Sequence, residues 1–177
     1  MRWQRLFDDL AGEFESEAAT ELAVEVAERT RIEIGRQRML DRLQAGVGRE
    51  LAVSLGGERT HGLLTFVGSD VIGLVDGQAD VLIPTDAIDH VAGLGSEARP
   101  VAEGPAAPGY GLRAMLRAVA RDRGEVVVVL REGARLRGRI DAVGADWFDL
   151  ATHEPEATRS STRLLVAVAS VAIVRSA

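Results

Sequence analysis

The chain has no cysteine, no lysine and no asparagine in its 177 residues. The missing cysteine excludes disulfides, thiolate metal sites and cysteine nucleophiles together. With lysine absent, all 21 basic residues are arginine. Codon bias in a GC-rich genome accounts for that usage, so the arginine count alone does not signal phosphate recognition. Aromatic residues make up only 4%, which leaves Val, Leu, Ile and Ala to build the core. No apolar run approaches the length of a membrane span. The start, Met1-Arg2-Trp3-Gln4-Arg5, has no signal-peptide core, which leads to the expectation of a cytoplasmic location. The net charge of −6 argues against generic nucleic-acid binding, since phosphate affinity rests on neutralising cations.

What is present is a motif said twice. Gly62-Leu63-Leu64-Thr65-Phe66-Val67-Gly68-Ser69-Asp70 returns as Gly138-Arg139-Ile140-Asp141-Ala142-Val143-Gly144-Ala145-Asp146, with Leu74 and Leu150 closing both copies. The offset, 138 minus 62, is 76 residues. That is too long for a solenoid repeat and suits two copies of a small domain.

Residues 2–45 read as helix. Trp3, Leu6, Phe7, Leu10 and Phe14 fall three and four apart, the helical spacing, with a kink or break expected at Gly35. From Glu50 the period becomes two. Strands are expected near 51–55, 60–67, 70–75, 80–83 and 88–91, with a hairpin turn at Asp76-Gly77. Residues 96–110 hold Pro100, Pro105 and Pro108 among Gly and Ala and read as a semi-rigid linker. A second helix then restarts the pattern, Met115-Leu116-x-x-Val119 mirroring Met39-Leu40-x-x-Leu43. Near the end the offset grows to 83, which places about seven extra residues in a loop around Thr152–Ser160. The division expected is an N-terminal amphipathic helix over 1–35, a first unit over 36–95, a linker over 96–110 and a second unit over 111–177. One core should gather Leu51, Val53, Leu55, Leu64, Leu74 and Ile88, the other Val126, Val128, Leu130, Ile140, Leu150 and Val171. Val127 and Val129 break the alternation, so their outward face should be covered as well.

A short helix followed by five strands, with Gly-x-Leu/Ile-x-x-Val-Gly-x-Asp on the second, resembles the Sm-like, SH3-like small-barrel superfold. The segment Ile83-Pro84-Thr85-Asp86-Ala87-Ile88 resembles the C-terminal barrel of bacterial ribosome-maturation factors, and the whole chain is similar to small proteins of high-GC actinobacteria. The resemblance implies a mostly β fold with an N-terminal helix and two tandem five-stranded barrels, each preceded by a short helix. It also implies where a base-reading pocket would sit. Those positions hold Ser69 and Ile72 in the first copy and Ala145 and Phe148 in the second, so neither carries the acidic residue and asparagine of the family. The family's aliphatic-Arg-Gly motif is split between Val91-Ala92-Gly93 and Val174-Arg175-Ser176.

The search for chemistry returns little. His61, His90 and His153 have no metal-ligand spacing, and nucleophile-elbow, Walker and dinucleotide motifs are absent. The expectation is a non-enzyme with no cofactor, no catalytic residue and no metal. Two surfaces stand out. Arg113, Arg117 and Arg121 lie four apart on one helix face, and Arg135, Arg137 and Arg139 alternate along one strand face. Together they form a candidate anion or nucleic-acid face, with a solvated surface or pairing with the acidic N-terminal helix as the plainer readings. The stripe Trp3, Leu6, Phe7, Leu10 and Phe14 is a candidate interface, or else packs on the chain's own barrels. The function read from these features is a non-enzymatic protein-interaction or scaffold protein with no membrane partner, binding a protein or itself through the N-terminal helix. The alternative is an RNA-binding regulator or ribosome-associated factor using the arginine face, with weak, salt-sensitive contacts.

Overall fold

A computed structural model describes residues 25–99, 110–152 and 162–177. The chain divides into two compact units, Met1–Arg38 and Met39–Ala177. Of the first, residues 25–36 form helix α1, which ends next to Gly35 where a break was expected. The stripe of Trp3, Leu6, Phe7, Leu10 and Phe14 lies outside the described residues, as does His153.

The second unit starts with helix α2 (Met39–Ala45), which buries Leu43. Five strands follow: β1 (Glu50–Leu55), β2 (Glu58–Val67), β3 (Val71–Asp76), β4 (Ala79–Pro84) and, after a 3-10 turn at Thr85–Ala87, β5 (His90–Ala92). Helix α3 (Leu112–Asp122) leads into β6 (Glu125–Leu130), β7 (Arg135–Val143), β8 (Trp147–Thr152), β9 (Thr162–Ala167) and β10 (Val171–Ser176).

The duplicated motif is visible in the backbone. Both β2 and β7 slip register by one residue, between Leu64 and Phe66 and between Ile140 and Ala142. Such a bulge bends a strand and increases its twist. In both copies the aspartate carbonyl receives the N–H that follows the fourth strand, from Thr85 to Asp70 and from Val168 to Asp146, each at 2.8–2.9 Å.

The expectation of two tandem five-stranded barrels fails. The strands form one ten-stranded antiparallel sheet in the order β5-β1-β2-β3-β4-β10-β6-β7-β8-β9. Neither half closes on itself, because β10 bonds β6 on one side and β4 on the other, setting Val174 against Leu82 and Arg175 against Val81. The physical reason lies on the outer faces. Separate barrels would leave Val71, Leu82, Val129, Ala172 and Ile173 facing water. Here Val71 and Leu82 join the core of the second half, while Val129, Ala172 and Ile173 join that of the first. Burying each large aliphatic chain contributes about 1.5–3 kcal/mol, enough to favour one fused sheet over two units.

The two expected cores are both present. Leu51, Val53, Leu55, Leu64 and Leu74 are buried with Ile88 packed against them, and Val126, Val128, Ile140, Leu150 and Val171 with Leu130. Val129 is covered by the first core, while Val127 is half-buried.

Helix α3 is fastened from a distance. Its N-cap residue, Gly111, offers no side chain. The Asp70 carboxylate takes that role, accepting a 2.6 Å hydrogen bond from the Leu112 N–H across 42 residues of sequence. A carboxylate there also complements the positive end of the helix dipole. Asp70→Ala is expected to cost about 1 kcal/mol, read from the urea midpoint. Asp146→Ala, at the repeat-related position whose side chain bonds no described residue, should move that midpoint far less.

Candidate functional site

Helix α3 packs beside β7, and Asp141, which pairs with Arg139, lines the same cavity as Arg117 and Arg121. Alternation along β7 points Arg135, Arg137 and Arg139 to one face, and each finds an acid. Arg135 reaches Glu58 at 2.8 Å, Arg137 reaches Glu125 at 3.0 Å and Arg139 reaches Asp141 at 3.0 Å. Arg131 pairs with Asp86 at 2.8 Å, and Arg113 donates to the Ala145 carbonyl at 3.1 Å. Arg117 and Arg121 line a shallow cavity of about 420 Å³ beside Asp141. Exposed ion pairs of this kind are worth about 0–1 kcal/mol each. Their main effect is electrostatic, since a face that carries its own counter-charges releases fewer counterions from a phosphate chain.

The seam between the halves carries a second feature, absent from the sequence reading. A groove of about 440 Å³ lies between α3 and the β4, β10 and β6 strands. Its apolar lining includes Phe66, Leu82, Met115, Val119 and Val126. Three exposed carboxylates, Asp80, Asp122 and Glu125, also line it. Asp122 is the last residue of α3, so the negative end of the helix dipole adds to the same potential. Glu125 is shared with Arg137. Asp80 is held in place through its backbone, whose N–H donates to Ser176 Oγ at 2.9 Å. The volume falls within the range of small-ligand and peptide-anchor sites.

The groove was missed because its walls come from elements far apart in sequence that meet only where β4 pairs with β10. One signal pointed there. Val126 to Leu130 and Val171 to Val174 are continuous apolar runs, whereas their first-copy counterparts, Leu51 to Leu55 and Ile88 to Val91, are interrupted by Ser54, Asp89 and His90. Continuous runs mark strands buried on both faces.

Of the histidines, His61 Nε2 lies 3.6 Å from Asp76 Oδ1 on an exposed face, and His90 sits on β5. Among the described residues no group of three or more His, Cys, Asp or Glu is placed to hold a metal ion. No helix among them is long and apolar enough to cross a membrane. No protein-family model matches the chain, and neither a curated protein nor a solved structure is detectably similar to it.

Proposed function

We propose that the chain is a non-enzymatic, cytoplasmic interaction protein that captures a segment of a protein partner in the seam groove. The observation that carries this reading is the pairing of an apolar floor with Asp80, Asp122 and Glu125 around it. The complementary segment presents one or two large apolar side chains flanked by Arg or Lys. The apolar chain supplies affinity by burial, and the flanking cations supply selectivity and association rate. The carboxylate partners of Arg135, Arg137 and Arg139 weigh against the arginine face as an RNA surface.

The test is fluorescence polarisation with two labelled peptides that share a Leu-Phe centre, one flanked by lysines and the other by glutamates. The basic peptide is expected to bind, and the acidic one to bind at least tenfold more weakly. The triple variant Asp80→Asn, Asp122→Asn, Glu125→Gln should remove that preference. Equal binding of both peptides, or preference for the acidic one, overturns the reading. Submicromolar, uridine-selective RNA binding that survives physiological salt would replace it with the RNA-binding alternative.

A further inference from the structure

Among the described residues the fused sheet ends at β5 on one side and at β9 on the other, and the internal seam shows what each edge would look like if paired. Within the seam, β4 meets β10. By the repeat, β9 corresponds to β4 and β5 corresponds to β10. Leu82 and Leu165 are equivalent: Leu82 stands opposite Gly73 on β3, and Leu165 stands opposite Asp149, 76 residues later, on β8. Leu82 is 8% exposed because the seam covers it, whereas Leu165 is 70% exposed. The β9 end thus displays the same leucine that the first half uses to receive the second.

The β5 end does not display the answering surface. Where β10 carries Ala172, Ile173 and Arg175, β5 and its approach carry Asp89, His90 and Ala92. The seam ion pair of Arg175 with Asp76, 2.5 Å, would become Ala92 against Thr152. Asp89 is already engaged, accepting a 2.6 Å hydrogen bond from the Gly56 N–H. The edge strand itself is only three residues long. Shortness and charge are how sheets blunt an edge. A head-to-tail contact of β9 on β5 would also repeat without closing and build a filament. The substitutions at β5 oppose that contact.

We infer that β9 pairs with β9 of a second copy, antiparallel about a two-fold axis at Leu165. In that register Leu165 meets its own symmetry mate, and Arg163 stands opposite the partner's Ala167. Residues directly opposite in an antiparallel pair share a face, and Arg163, Leu165 and Ala167, which alternate along β9, are all exposed. The only charge on the strand therefore meets a small neutral residue, never its own kind. The contact uses up the apolar edge and leaves the two blunted β5 edges outermost, so assembly stops at two copies. This inference stands apart from the groove reading, since none of the groove's lining residues belongs to β9.

The chain's lack of cysteine makes the test direct. Size-exclusion chromatography with light scattering on the full chain, at high micromolar concentration, should give a mass near twice 18.9 kDa. Leu165→Arg should return it to monomer with an unchanged circular dichroism spectrum, since the side chain is exposed and packs on no core. Leu165→Cys alone should form a covalent dimer under mild oxidation, whereas Val91→Cys alone should not. A monomeric wild type, or a dimer that Leu165→Arg leaves intact, overturns the inference. So does a ladder of multimers from the Val91→Cys, Leu165→Cys double variant, which would report the head-to-tail contact.

Discussion

Phe148→Ala is expected to lower stability by about 3–5 kcal/mol, the cost of deleting a fully buried aromatic side chain. Phe148 is 0% exposed and ranks among the largest fully buried side chains of the described residues. It sits on β8 with Val126, Val128, Ile140, Leu150 and Leu116 of α3 in the same core. With aromatics at 4% of the chain, the surrounding aliphatic side chains are small and branched, and they cannot flow into the space left behind. The ring therefore leaves a cavity, and the cavity adds to the lost transfer energy. Urea unfolding followed by circular dichroism measures the effect. A loss below about 1 kcal/mol would mean that the core collapses around the deletion. The position is instructive because the small-barrel resemblance assigns it to base reading. Here the side chain is sealed inside, so it serves stability.

Gly138→Val should cost about 3 kcal/mol, near the upper end for forced overpacking. The sign makes this prediction sharp. Valine has a higher strand propensity than glycine, so on propensity alone the change would stabilise β7. The geometry forbids it. A Cβ built on Gly138 runs into the backbone carbonyl of Ala151 on the neighbouring β8, and one on Gly62 would stand 2.5 Å from the carbonyl of Val75 on β3. Backbone atoms locked in a ladder cannot step aside as a flexible side chain can. Gly35→Ala is the control: nothing lies within 4 Å of its Cβ position, and it sits in a helix, where alanine is preferred. The urea midpoint of the strand-bearing unit should fall sharply for Gly138→Val and stay put for Gly35→Ala. A Gly138→Val protein as stable as wild type would show that β7 and β8 do not approach as described.

These two positions also mark how far the sequence could be read. The repeated glycines, Gly62 and Gly138, were legible as the opening residues of the duplicated motif, and both sit where a neighbouring backbone comes too close for a side chain. The alternation of Leu51, Val53 and Leu55, and of Val126 and Val128, was legible as two cores. Both are local signals, carried by a period of two and by residues a few positions apart. The arginines of β7 were legible as one face but not as a neutralised one. Glu58 lies 77 residues from Arg135, and no spacing rule connects them.

The sequence by itself thus determined the strands, their turns, their inward faces and the duplication, because each follows from short-range periodicity and from the steric needs of single residues. Only the tertiary structure decided that the two halves are one sheet. That outcome turned on which edge β10 pairs with, and an edge carries the same backbone N–H and C=O groups whatever the local sequence. The choice was made by burial on the outer faces, where Leu82 and Val71 meet the second core and Val129, Ala172 and Ile173 meet the first. From that one pairing come the seam groove with Asp80, Asp122 and Glu125, the capping of α3 by Asp70, and the contrast between a covered Leu82 and an exposed Leu165.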